Sequence, residues 1–153
     1  MKKNIGIILA TLTLLVIGCL VFFQHFFFYE VYGTSMSPTL RSGESVLSRE
    51  FALKDIERGD IIGFEHPLLA DGDYLKRVVA LPGDTVEVKA QQVLVNGKKT
   101  TYPINPKGAP DFGPVKVEKD HLFVLGDQMA DSDDSRTLGT VSYKQIRGVL
   151  VFR

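Results

Sequence analysis

Ser35 stands in the turn-rich stretch GTSMSPTL, residues 33–40, and Lys76 in the apolar run DYLKRVVALPGD, residues 73–84. A serine hydroxyl attacks a carbonyl only when another group takes its proton. A lysine can do this where burial disfavours the ammonium and leaves a neutral amine. Gly33, two positions before the serine, lets the chain bend so that the hydroxyl points outward, and Pro38 stiffens the exit. Together the two residues point to a serine hydrolase that works without histidine. Two plainer readings compete: a surface turn with no reactive serine, and an edge-strand lysine that faces water and blocks aggregation.

A third polar stretch, LGDQMADSDDSRTLG at 125–139, follows an apolar run. Asp127, Asp131, Asp133 and Asp134 invite a calcium reading, but the loop lacks the glycine and the closing glutamate of an EF-hand. A rigid loop fits better, in which Asp134 and Arg136 form ion pairs and a serine touches a buried amine. His25, His66 and His121 are scattered, and no motif ties one to Ser35. With Cys19 as the single cysteine, neither a structural zinc site nor an intramolecular disulfide is expected. No metal and no cofactor is expected.

The elements that must position these residues read as short strands. Tyr74–Leu81 alternates: Tyr74, Lys76, Val78 and Ala80 share one face, and Leu75, Arg77, Val79 and Leu81 the other. Lys76, flanked by Tyr and Val on its own face, would be partly desolvated. Further strands are expected at 45–48, 60–65, 85–89, 92–95, 121–125 and 148–152, with Asn96-Gly97 as a hairpin turn. The proline-rich stretch 103–114 reads as loop, and only 48–56 and 142–146 could hold a helical turn. Such spacing predicts a mainly β domain over 31–153, a barrel or sandwich rather than βαβ units.

The first thirty residues are a separate object. Lys2 and Lys3 precede an uncharged run from Ile5 to Phe23, close to the length that spans a hydrocarbon core of about 30 Å. The expected layout is a cytoplasmic 1–3, a transmembrane signal anchor at 4–23, an interfacial linker at 24–30 rich in Phe and Tyr, and an extracytoplasmic domain at 31–153. A cleaved signal peptide and a lipobox at Val16-Ile17-Gly18-Cys19 are the competing readings. Eighteen basic and eighteen acidic residues cancel, so nucleic acid is not an expected partner.

With these stretches in order behind an anchor, the chain resembles the bacterial type I signal peptidases, most closely the small single-anchor Gram-positive kind. The boxes are GTSMSPTL, RGDIIGF at 58–64, YLKRVVALPGD at 74–84 and GDxxxxSxDSRxxG at 126–139, with FGPVKV at 112–117 leading into HLFVLGD. The resemblance implies a membrane-bound serine endopeptidase acting on secretory precursors, and a mostly β fold shared with LexA-type self-cleaving repressors. Ser35 would be the nucleophile and Lys76 the general base. Ser132 would hydrogen-bond and orient the amine, Asp134 and Arg136 would hold the site, and Arg77 and Asp127 would pair in support. The Ser35 N–H would be one oxyanion donor. Relatives with two-membrane envelopes often carry serine where this chain has Gly33, and the resemblance assigns no second donor here. Val31, Met36 and Leu75, by resemblance and alternation, would wall the pockets for small precursor residues at −1 and −3. The lipid bilayer would be the other partner.

One box departs. The family usually reads GDNR where this chain has Gly126-Asp127-Gln128-Met129, and methionine cannot replace a guanidinium. That weakens the expectation of a rigid loop. It leaves open a catalytically weakened homologue that acts as a membrane-tethered precursor-binding module. An anchored peptidase for other precursors, such as pilins, is a further alternative.

Overall fold

The computed structural model describes residues 2–51, 55–67 and 72–151. Helix α1 (Lys2–His25) is built from the apolar run, and its Asn4–His25 portion is long and apolar enough to cross a membrane. No part of that span is buried against the rest of the protein.

The helix passes without a break into β1 (Phe26–Glu30), where the sequence reading placed a linker. The FFFYE segment pairs along its whole length with β2 (Ser45–Arg49). Aromatic residues suit a strand as well as a membrane interface, and the partner strand decides between them. The junction is tied by Glu50 N–H donating to the His25 carbonyl at 2.9 Å and by a 3.1 Å contact between His25 Nδ1 and the Glu50 carboxylate.

The remaining strands are β3 (Ile61–Phe64), β4 (Tyr74–Ala80), β5 (Thr85–Lys89), β6 (Gln92–Val95), β7 (Lys98–Lys99), β8 (Phe112–Lys116), β9 (His121–Leu125), β10 (Val141–Ser142) and β11 (Ile146–Leu150), with helix α2 at Ser135–Leu138. Seven strands form one antiparallel sheet in the order β1-β2-β11-β3-β4-β9-β10, which curls into a half-barrel. Four form a second, ordered β7-β6-β5-β8. Several expected strands have the expected bounds, among them 85–89, 92–95 and 121–125. Asn96 and Gly97 turn between β6 and β7 with φ of 52° and 74°, the left-handed pair that a tight hairpin requires.

One reading of the sequence is corrected. The stretch 103–114 is not loop to its end, because β8 starts at Phe112 and contains Pro114. Proline lacks the N–H for a central ladder but is tolerated where β8 sits, on a sheet edge. The helical turn expected within 48–56 is present as 3₁₀ helix at Asp55, after strand at Ser48 and Arg49, and residues 52–54 lie outside the described residues. The turn expected at 142–146 is present as a 3₁₀ helix at Tyr143–Gln145.

Strand β4 lies inside the large sheet, between β3 and β9, and all but its first residue are buried. The strict two-face alternation breaks at a register shift between Val78 and Ala80. Val78 joins the core under the large sheet with Ile62, Phe64 and Leu122, whereas the consecutive Val79 and Ala80 both join the core shared with the small sheet. A bulge of this kind lets neighbouring residues feed one apolar layer.

Candidate active site

Ser35 sits in a compact turn. Ser37 N–H donates to the Thr34 carbonyl and Leu40 N–H to the Met36 carbonyl, each at 2.9 Å, and Gly33 enters the turn at φ +80°. Val31, Met36 and Leu40 bury their side chains with Ile61, Leu75 and Leu150. That apolar cluster presses the turn against β3 and β4, because it removes those side chains from water.

Lys76 comes up from β4, paired across to Ile62 of β3. The residue is 3% exposed, so it is no edge lysine facing water. Its Nζ donates to Ser35 Oγ at 2.9 Å and to the Leu75 carbonyl at 3.0 Å, and it lies 5.7 Å from the Tyr74 ring centroid. Burial lowers the lysine pKa from its ordinary value, against the opposing pull of the Asp134 and Asp133 carboxylates. A neutral amine at this distance can take the proton of a hydroxyl. Among the described residues, the contacts of Lys76 Nζ are with Ser35, Leu75 and the Tyr74 ring.

Ser132 lies nearby but does not make the expected bond to the amine. Its Oγ is buried and has no hydrogen-bond partner among the described residues. The amine spends two of its positions on Ser35 and Leu75, which leaves one free. Ser132 packs instead over Gly126: a Cβ on that glycine would fall 2.2 Å from Ser132 Oγ and 2.7 Å from the Ser35 carbonyl oxygen.

The loop around Ser132 is held by Asp134 and Arg136. Arg136 Nε and Nη2 donate to the two Asp134 oxygens at 2.8 and 2.9 Å, and Gly126 N–H donates to the same carboxylate at 3.0 Å. Asp134 also caps α2 by accepting from Arg136 N–H. Arg136 Nη2 reaches the Met129 carbonyl at 2.6 Å. Behind the lysine, Arg77 Nε and Nη2 donate to the Asp127 oxygens at 2.7 and 2.6 Å, with both residues buried.

The departure at Gln128-Met129 has a structural answer. Met129 is buried in the core between the two sheets. Gln128 Oε1 accepts from Asn105 Nδ2 at 2.9 Å, and Asn105 N–H donates to the Asp127 carbonyl at 2.7 Å. Packing and amide hydrogen bonds order the loop where a guanidinium is missing. Asn105 and Thr39, which donates its hydroxyl to Asp127, escaped the sequence reading. Neither carries a local signal, since their partners are distant in the chain.

Val31, Met36 and Leu75 line a cavity of about 600 Å³ together with Ser35 and Lys76, and Asp131 and Asp133 stand at its margin. Tyr29 closes one side by lying across Gly63, where a Cβ would meet the phenol oxygen at 2.4 Å. Burial first, then Asp73, pushes that phenol well above its ordinary range. Among the described residues, no cluster of three His, Cys, Asp or Glu could hold a metal.

Comparison with known proteins matches residues 4–153 to the family described as signal peptidase, peptidase S26. A signal peptidase I of Bacillus amyloliquefaciens is 36% identical over 99% of this chain and 89% of its own. Signal peptidase I S of Bacillus subtilis is 38% identical, with the same coverage of both chains. The crystal structure of a signal peptidase I from Enterococcus faecalis superposes with a TM-score of 0.55 at 30% identity, covering 65% of this chain and all of that one. The half-barrel and these matches define a serine peptidase, a hydrolase of mostly β build. The chain belongs to the signal peptidase family, peptidase S26, and is of the Gram-positive signal peptidase I type.

Proposed function

We propose that this chain removes signal peptides from secretory precursors at the outer face of the cytoplasmic membrane, with Ser35 as nucleophile and Lys76 as general base. The observation that carries this reading is the 2.9 Å contact between the buried Lys76 Nζ and Ser35 Oγ, at a cavity open to solvent that Val31, Met36 and Leu75 help to wall. The amine takes the serine proton as the alkoxide attacks the carbonyl at the end of the signal peptide. The protonated amine then gives that proton to the leaving amine of the mature chain. Water, deprotonated by the same lysine, attacks the acyl carbon, and the lysine returns that proton to Ser35 Oγ as the C–O bond breaks and the acyl group leaves as a carboxylate. The Ser35 N–H serves as one oxyanion donor.

Ser132, unbonded in the structure, is the group that would take the third position on the amine in the working enzyme. Its buried, unpartnered hydroxyl is a state that costs about 1–3 kcal/mol, and bonding to Lys76 relieves it. Asp134, Arg136, Arg77 and Asp127 keep both halves of the site in place. The precursor lies extended along the cavity by β-augmentation. Val31, Met36 and Leu75 leave room for small residues at −1 and −3.

Helix α1 anchors the enzyme. Lys2 and Lys3 in the sequence favour a cytoplasmic N-terminus, which sets the domain outside. The helix ends at His25 and the nucleophile is Ser35, so at about 3.5 Å per extended residue the reacting hydroxyl stays within roughly 35 Å of the helix end. Precursors emerge in that same layer at the end of their own apolar segment, which raises the effective concentration of each for the other.

The test is to incubate the detergent-solubilised full chain with a precursor and sequence the N-terminus of the product. Ser35→Ala and Lys76→Ala abolish cleavage, and Lys76→Arg is nearly inactive because a guanidinium keeps its proton. Undiminished cleavage by Ser35→Ala removes Ser35 from its role, and normal cleavage by Lys76→Arg removes the lysine as base.

A further inference from the structure

Ser35 and Lys76 belong to different elements, and no covalent link sets the 2.9 Å between them. Two consecutive residues after β9 grip the serine turn at two points. Gln128 N–H donates to the Ser35 carbonyl at 2.9 Å, and the Thr39 hydroxyl donates to Oδ2 of Asp127. That carboxylate is also held by Arg77, the residue next to Lys76. Arg77 Nη1 is fixed in turn by the Gly59 carbonyl at 2.7 Å, and Nη2 stands 3.4 Å from Thr39 Oγ1. A closed circuit thus runs from hydroxyl to amine through Asp127-Gln128 and Arg77, with Thr39 as its side-chain tie to the turn.

The apolar cluster cannot supply this constraint. Burial of Met36 and Leu40 seats the turn, but hydrophobic contact has no direction and does not by itself aim the Ser35 hydroxyl at the amine. A hydrogen bond onto an immobile carboxylate is directional. Asp127 cannot swing to follow a moving turn, because both its oxygens are engaged by Arg77.

We propose that Thr39 is a positioning residue for the peptidase reaction: its hydroxyl, seated on the buried Arg77–Asp127 pair, sets the distance at which Ser35 meets Lys76. The inference rests on the roles proposed above for Ser35 and Lys76, and it adds a residue whose hydroxyl bonds to Asp127 and Arg77 instead. Removing the hydroxyl leaves the Arg77–Asp127 pair intact, so the tie to the turn is lost while the fold is kept.

Thr39→Val, Thr39→Ser and Ser35→Ala of the full chain, purified in detergent, are compared with the wild type on one peptide that spans a signal-peptide cleavage site. Thr39→Val lowers kcat by about 10- to 100-fold, the scale of a sub-ångström to 1 Å misplacement of a reacting group, and leaves KM within about twofold. Thr39→Ser, which keeps the hydroxyl, restores kcat to within about threefold. Near-UV circular dichroism reports the folded fraction of each. A Thr39→Val kcat within about threefold of wild type overturns the inference, whatever its KM. So does a loss that merely follows the folded fraction, or one that Thr39→Ser fails to restore. If Ser35→Ala cleaves like wild type, the underlying reading of the site fails. If Ser35→Ala is inert while Thr39→Val is fully active, only the role of Thr39 fails.

Discussion

Gly126→Ala places one methyl group at a tight point beside the proposed Ser35–Lys76 pair. The new Cβ would lie 2.2 Å from Ser132 Oγ, 2.6 Å from Ser132 Cβ and 2.7 Å from the Ser35 carbonyl oxygen. The Gly126 backbone is outside the left-handed region, so alanine meets no backbone strain and the effect is purely steric. Comfortable carbon contacts begin near 3.5 Å, so the neighbours must retreat by about 1 Å. The Ser132 hydroxyl can rotate away, but its Cβ belongs to the loop that Asp134 and Arg136 hold. The Ser35 carbonyl is held by Gln128 N–H. Overpacking of this kind destabilises by about 1–3 kcal/mol. A retreat of Ser35 by about 1 Å lowers the chemical rate by about 100-fold. The signature is a large loss of kcat/KM in a protein only modestly less stable, read from precursor cleavage beside urea unfolding. Wild-type kcat/KM in Gly126→Ala would refute the reasoning, because the crowding would then not reach the serine.

The same geometry makes pH and charge predictions. Burial lowers the Lys76 pKa below 10.5, so between that lowered value and 10.5 the unfolded chain binds more protons than the folded one, and stability rises with pH. Lys76→Met therefore stabilises the fold at pH below the lowered value, and its advantage in urea unfolding shrinks as pH approaches 10.5; an advantage that grows with pH contradicts this. The wild-type cleavage rate climbs with pH as Lys76 sheds its proton in the folded enzyme, and a flat profile counts against a titrating amine. Arg77→Met leaves the fully buried Asp127 carboxylate without its partner, which costs about 3–5 kcal/mol; a urea midpoint near wild type shows that the pair contributes little.

Several strands were legible because each is a local pattern. Thr85–Lys89 and Gln92–Val95 alternate side to side and are bounded by turn residues, and Asn96-Gly97 can adopt the paired positive φ at little cost. The apolar run of α1 announces itself by length. Strand β1 was missed because FFFYE is compatible with a membrane interface, and its strand character comes from β2, whose residues lie some twenty positions further on. The bulge in β4 was invisible for the same kind of reason: it exists only in the register with β9.

Residue types and their order along the chain determined the long apolar helix, the mainly β class and the reactive candidates Ser35 and Lys76, since composition, periodicity and turn chemistry act over a few residues. Tertiary structure decided that these side chains lie 2.9 Å apart, that Lys76 is buried between β3 and β9, and that Ser132, packed beside Gly126, leaves its hydroxyl unbonded. It also recruited Thr39, Gln128 and Asn105 to hold the site. Each of these contacts joins segments tens of residues apart. It is set by the closing of whole sheets and cores, a sum of many weak contacts that no short stretch of sequence encodes.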